Sequence, residues 1–194
     1  MIRFRLGPSS KPTNIDQILE SRGLKKSYNL NYMGCELARM KMDYPIPNGC
    51  KIQPIAHQDV FLCYGHPLLG ERKSSKKRRT LASFQNLGEQ NPGKYWTFTS
   101  VKDGQLVGFA ALYFHEGDVG ITDFVILKEF RQKRIGTALL QYVCSFAQKQ
   151  SAQSAVQGAS TQRAKFYPLF GFKNLGRFPT YLYSKEMQII KDSG

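Results

Sequence analysis

Residues 124–140 read FVILKEFRQKRIGTALL. An apolar run ends at Leu127, a basic loop follows, and Ile135, Leu139, Tyr142, Val143 and Phe146 then recur at helical spacing. This pattern predicts a strand over 119–127, a short loop, and a helix over 135–150. The first turn of a helix leaves backbone N–H groups without internal partners, and the helix dipole adds positive charge there. Such a turn takes an anion. Arg131, Lys133 and Arg134 add side-chain charge, Gly136 lets a ligand approach the backbone, and Thr137 offers a hydroxyl. On these features alone, a phosphate site and an ordinary basic helix start are equally good readings.

The flanking sequence supplies a sheet. Residues 95–100 read as a strand, Lys102-Asp103-Gly104 as a turn, 106–114 as a strongly apolar strand, and HEGDVG (115–120) as the next turn. Downstream, a short strand at 155–157 leads to a helix over 162–170, closed by Gly171, and to strands at 172–175 and 180–184. Upstream, 50–55 reads as a strand, with helices over 58–69 and 80–88. The alternation argues an α/β sheet domain with helices on its faces. Nearer the N-terminus, 2–6 alternates as a strand, and Gly7 to Pro12 breaks it. A helix over 14–21 follows, with Asn14 as N-cap, an apolar face of Ile15, Ile18 and Leu19, and Gly23 at its end. Strand-like residues return at 30–37. The connector DYPIPNG (43–49) marks a module boundary, giving a small α/β module over 1–48 and a main domain over 49–194.

Bulk properties bound the function. At 194 residues, with 41% apolar and 12% aromatic side chains, the chain can bury a core without disulfides or metals, and disorder throughout is excluded. Cys35, Cys50, Cys63 and Cys144 form no CxxC pair, so no metal and no disulfide framework is expected. Spaced thiols of this kind suit a cytoplasmic protein. No run approaches the roughly 18–20 apolar residues of a membrane span, and the N-terminus lacks the apolar core of a secretory signal. Lys plus Arg is 28 against 14 Asp plus Glu, a net charge of +14. Such a surface attracts anions and weighs against polyamine acceptors. Residues 72–79, RKSSKKRR, hold six basic side chains. They read either as a solvated loop or as a nucleic-acid contact.

The order of these elements resembles the GCN5-related N-acetyltransferase (GNAT) superfamily. That family's pyrophosphate loop, Arg/Gln-x-x-Gly-x-Gly/Ala, lies between its fourth strand and third helix. Here it falls on Arg131-Gln132-Lys133-Arg134-Ile135-Gly136, followed by Thr137. Arg134 replaces the first glycine. If the loop needs positive φ there, arginine costs on the order of 1 kcal/mol; if the dihedral is ordinary, Arg134 is free to reach a phosphate. A second block, AVQGASTQRAKFYPLFGF (155–172), is similar to the family's fifth strand, fourth helix and Tyr-x-x-x-Gly-Phe ending, on Tyr167, Gly171 and Phe172. The Ala159-Ser160 pair is similar to bacterial members, and GPSSKP, LESRGL and Met33 fall where those members carry a partial N-terminal module.

The resemblance implies a mixed, mostly antiparallel twisted sheet flanked by helices, with strands four and five of the family fold splayed around acetyl-CoA. It implies that the backbone of Phe124, Val125 and Ile126 pairs with the pantetheine arm, and that an N–H such as that of Ile126 polarises the thioester. Backbone N–H groups of Gln132, Lys133, Arg134, Ile135, Gly136 and Thr137 hold the diphosphate, assisted by Arg131 and Lys133. Ser160 lines the channel. A primary amine attacks the thioester directly, and Tyr167, whose phenol stays protonated at neutral pH, protonates the departing sulfur. Read without the resemblance, Tyr167 beside Phe166, Phe170 and Phe172 is core packing, and Cys144 is a buried small residue. The general base is open among Asp123, Glu116 and His115, with proton loss to water a further option. Strand alternation sets Asp123 on the face of Val125, opposite Phe124 and Ile126.

The acceptor stays open among a small amine, a peptide N-terminus and an aminoacyl-tRNA, the last drawing on the basic run 72–79. The expected state is a monomer or homodimer off the membrane. The alternative is a degenerate CoA- or nucleic-acid-binding protein of the same fold, favoured by Arg134 in place of glycine.

Overall fold

The computed structural model describes residues 2–7, 10–41, 43–56, 86 and 88–183. The basic run 72–79, Cys63 and the helices expected over 58–69 and 80–88 lie outside these residues, apart from Asn86 and Gly88. In chain order the elements are β1 (Ile2–Arg5), α1 (Ile15–Ser21), β2 (Lys25–Glu36), β3 (Cys50–Ile55), β4 (Tyr95–Lys102), β5 (Gln105–His115), β6 (Asp118–Ile126), α2 (Ile135–Lys149), β7 (Ser154–Ala159), α3 (Thr161–Ala164) and β8 (Lys173–Tyr183). They form two compact units, residues 35–157 and residues 1–34 with 158–194. The boundary expected at 48/49 therefore falls inside a unit. Its connector is docked onto α2: Gln141 Nε2 donates to the Tyr44 carbonyl at 3.1 Å, and the Tyr44 N–H donates back to Gln141 Oε1 at 3.2 Å.

In residues 35–157 the strands run in the order β7-β6-β5-β4-β3. Neighbours are antiparallel except β6 and β7, which are parallel. A parallel pair needs a crossover, and α2 supplies it. The buried side of α2 carries Ile135, Leu139, Leu140, Val143 and Cys144. Phe146 packs edge-on against Trp96, Phe98 and Phe114, with centroids 4.8, 5.0 and 6.5 Å away. The opposite face of the sheet buries Tyr95, Phe109 and Ala111, with Val125 packed against them. Pro54 sits on β3, an edge strand, where its missing N–H costs no ladder bond. Among the described residues no helix is long and apolar enough to cross a membrane.

In the other unit β8 lies between β1 and β2, antiparallel to both. Leu6, Leu19, Leu24 and Tyr181 form its core under α1. Asn14 occupies the N-cap position of α1 but makes no side-chain capping bond. β2 begins at Lys25, earlier than its apolar residues suggest, because the polar stretch before Leu30 pairs with β8. β8 is one strand where two were expected. The register passes from Tyr32↔Gly176 to Met33↔Asn174, so Leu175 is bulged out and the ladder continues past it. The helix expected over 162–170 is instead the short α3 and a 3-10 turn, Tyr167–Phe170. Pro168 at the start of that turn lacks the N–H that a continuous helix would use.

Candidate active site

The site begins in β6. The β5–β6 register runs Gly108↔Ile126 and Phe109↔Val125, then Ala111↔Thr122, so β6 carries one extra residue opposite Ala110. Asp123 absorbs it with φ +49°. This is a β-bulge, and it resets the alternation. Val119 and Ile121 are buried ahead of it and Ile126 after it. The expected shared face of Asp123 and Val125 is lost for that reason: Thr122 and Val125 pair with Ala111 and Phe109, while Asp123 stands exposed in the bulge. The parallel ladder with β7 holds four pairs, from Asp118↔Ser154 to Ile121↔Gln157, and ends next to the bulge, while β6 continues to Ile126. Gly108 keeps the end of β6 close to β5. A Cβ there would meet Ile126 Cδ1 at 2.6 Å and Ser100 at 3.1 Å. The readable signal for Gly108 is a glycine inside an apolar strand, which marks a close approach of neighbours.

At the end of β6 the Leu127 N–H donates to the Val107 carbonyl at 2.9 Å. Across a trans peptide the Ile126 carbonyl then points away from β5. Alternation along the strand sends the Ile126 N–H the same way. Arg131 Nε donates to that carbonyl at 3.1 Å. A 3-10 turn, Lys128–Phe130, leads into the exposed residues Arg131 to Arg134. Gln132 has φ +61°. Arg134 is the N-cap residue of α2 with φ +58° and ψ 5°. The loop therefore does require a left-handed residue where the family pattern has glycine, and arginine supplies it at a cost on the order of 1 kcal/mol.

The first helical bond runs from the Ala138 N–H to the Arg134 carbonyl, 3.0 Å. No side chain caps α2, and among the described residues none accepts from the N–H groups of Ile135, Gly136 and Thr137. Lys133 Nζ lies 5.0 Å from the centre of the Phe130 ring. Among the described residues, Arg131, Lys133 and Arg134 form no ion pair. Amides without an acceptor among the described residues, a helix start and basic side chains converge, and this donor set fits a diphosphate.

The remaining sequence candidates sit as follows. Ser160 is the exposed N-cap residue of α3; its carbonyl accepts from the Ala164 N–H at 2.8 Å, and its hydroxyl makes no capping bond. Tyr167 is 3% exposed. Its ring lies 5.4 Å from both Phe166 and Phe172, so the aromatic-packing reading holds for the ring. Gly171 closes the turn at φ +92°. Cys144 is fully buried, and burial pushes its thiol pKa up, away from a reactive thiolate.

His115, the last residue of β5, and Glu116, in the turn that precedes β6, face each other at 3.8 Å, both exposed. A strand rises about 3.3 Å per residue, which sets them about 25 Å from Ile126. That distance removes both as bases for chemistry at Ile126. Asp118, at the same end, accepts from Ser154 Oγ at 2.5 Å. Asp123 is thus the carboxylate of β6 nearest Ile126.

Within residues 35–157, a mostly antiparallel sheet with one parallel pair, whose bulged strand runs into an uncapped, cation-rich helix start, defines an α/β protein with an anion-suited turn. The chain belongs to the Acetyltransferase (GNAT) family, whose sequence pattern matches residues 61–172. A GCN5-related N-acetyltransferase from Kribbella flavida is similar in structure, with TM-score 0.64 and 13% identity over 87% of this chain and 63% of its own. One from Sphaerobacter thermophilus has TM-score 0.65 and 17% identity over 92% of this chain and 58% of its own. Glucosamine-6-phosphate N-acetyltransferase from Arabidopsis thaliana has TM-score 0.52 and 14% identity over 66% of this chain and 93% of its own. The chain thus spans less than two thirds of the length of the first two. At these identities the likeness is one of fold. No curated protein matches the sequence.

Proposed function

We propose that the chain is an acetyl-CoA-dependent N-acetyltransferase that passes an acyl group to a primary amine. The observation that carries this is the uncapped opening turn of α2, whose N–H groups at Ile135, Gly136 and Thr137 meet no acceptor among the described residues and lie beside the basic residues Lys133 and Arg134. Acetyl-CoA supplies the activated acyl group as a thioester. The α2 amides and Gly136 hold its diphosphate. Phe124, Val125 and Ile126 offer backbone groups to its arm, and the Ile126 N–H donates to the carbonyl oxygen as negative charge develops there. As the new C–N bond forms and the C–S bond breaks, Tyr167 gives the sulfur a proton, and Asp123 takes one from the attacking nitrogen, directly or through water.

The net charge of +14 favours a neutral or acidic acceptor. A neutral or acidic small amine, a peptide N-terminus and an aminoacyl-tRNA are the acceptors compatible with it. With the last, the basic run 72–79 would contact phosphates and binding would weaken steeply with salt.

The test is calorimetry with CoA, followed by thiol release from acetyl-CoA over an amine panel. Binding and amine-dependent release support the reading, and a lower rate in Asp123→Asn supports that residue as base. No CoA binding defeats it. Arg134 in place of the family's glycine favours a second reading, a CoA sensor or nucleic-acid adaptor of the same fold. CoA binding without thiol release for any amine would select it.

A further inference from the structure

We propose that Arg131 is a positioning residue, a clamp that fixes the last peptide of β6, and that its positive charge is secondary. This rests on reading the loop as the diphosphate site. The peptide joining Ile126 to Leu127 is held from both sides. Its N–H donates to the Val107 carbonyl at 2.9 Å, and its carbonyl accepts from Arg131 Nε at 3.1 Å.

The clamp answers a need created by the fold. In a continuous ladder β7 would satisfy the Ile126 carbonyl, but the β6–β7 register ends at Ile121↔Gln157. Ile126 is only 9% exposed, so its carbonyl requires a partner from within the protein. Arg131 provides one, and its own N–H closes the turn onto the Lys128 carbonyl at 3.3 Å. The segment from Ile126 to Arg131 becomes a closed ring. It ties the strand that meets the pantetheine arm to the loop that meets the diphosphate. A ring pinned at both ends holds the two halves of one extended ligand in register, so less ordering remains to be done on binding.

The chemistry of the side chains separates a clamp from a charge. Nitrogen in glutamine is attached to Cδ, as Nε is in arginine, so its amide can donate at the same point without charge. Lysine keeps the charge but has a methylene there. Acetyl-CoA affinity is measured by calorimetry for Arg131→Ala, Arg131→Lys and Arg131→Gln, alongside thermal melting. Loss of one such hydrogen bond predicts binding about fivefold weaker in Arg131→Ala and Arg131→Lys, with Arg131→Gln recovering most of the loss. Lysine recovering the loss while glutamine does not would overturn the clamp in favour of a phosphate charge. Equal affinity in all three variants and the parent would also overturn it.

Hydrogen exchange of the Leu127 amide reads the clamp without ligand. Protection should fall in Arg131→Ala and Arg131→Lys and return in Arg131→Gln; unchanged protection in all three counts against it. If the parent binds no CoA, the loop reading fails, while the exchange data still decide the clamp.

Discussion

Replacing Arg134 with glycine should stabilise the loop relative to replacing it with alanine. Arg134 sits at φ +58°, ψ 5°, where a Cβ crowds the backbone. Both substitutions remove the same charge from an exposed position, so their difference isolates the backbone. Alanine keeps the left-handed cost of roughly 1–2 kcal/mol. Glycine relieves it but gives back roughly 0.4–1 kcal/mol through the greater freedom of its unfolded chain. The expected balance favours Arg134→Gly over Arg134→Ala by about 1 kcal/mol. For a chain of this size that is about 2–4 °C in Tm. Urea unfolding and thermal melting of the two variants side by side provide the measurement. An alanine variant as stable as the glycine variant would refute the argument, because it would mean that residue 134 leaves the left-handed region at no cost. CoA affinity should fall by a similar factor in both, since each loses one cation beside the same amides.

Gly136→Gln puts a long side chain among the free amides at the start of α2, and should weaken CoA binding by at least about tenfold, about 1.4 kcal/mol. Unchanged affinity by calorimetry would remove the diphosphate from this turn. Tyr167→Phe keeps the ring packed against Phe166 and Phe172 and deletes only the hydroxyl. Turnover should drop by about a hundredfold with CoA affinity within about twofold, and equal rates would take the phenol out of the chemistry. The Tyr181 phenol is pushed up from 10 to about 12, by burial first and then by the Asp16 and Glu20 carboxylates. The folded state thus favours its neutral form. That contribution is complete below pH 10 and is lost as pH rises through about 12. Melting of Tyr181→Phe should lack this alkaline loss, and parallel pH profiles for variant and parent would contradict the assignment.

The elements that read correctly from sequence are those whose own side chains declare a period. Residues 106–114 and 119–127 are apolar enough to be strands in any context, and Ile135, Leu139, Val143 and Phe146 repeat at helical spacing. Their observed bounds, Gln105–His115, Asp118–Ile126 and Ile135–Lys149, differ by a residue at most at each end. The uncapped α2 start was legible for the same reason, since it follows from the chain's own order of strand, basic loop and helix.

What the sequence left open depended on partners distant along the chain. The polar opening of β2 is a strand only because β8 pairs with it, and Leu175 is bulged only because that register demands it. The Asp123 bulge follows from how β6 meets β5, and it shifted the faces that alternation had assigned. Glu116 and His115 lie close to β6 in sequence, yet the length of that strand carries them away from Ile126. Composition and local order thus determined the class of fold and the place of the basic, uncapped helix start. Tertiary structure decided which backbone groups point outward and which carboxylate lies near them, because ladder register is set by hydrogen bonds between strands and the Ile126–Arg131 ring by the Arg131 side chain donating to the Ile126 carbonyl.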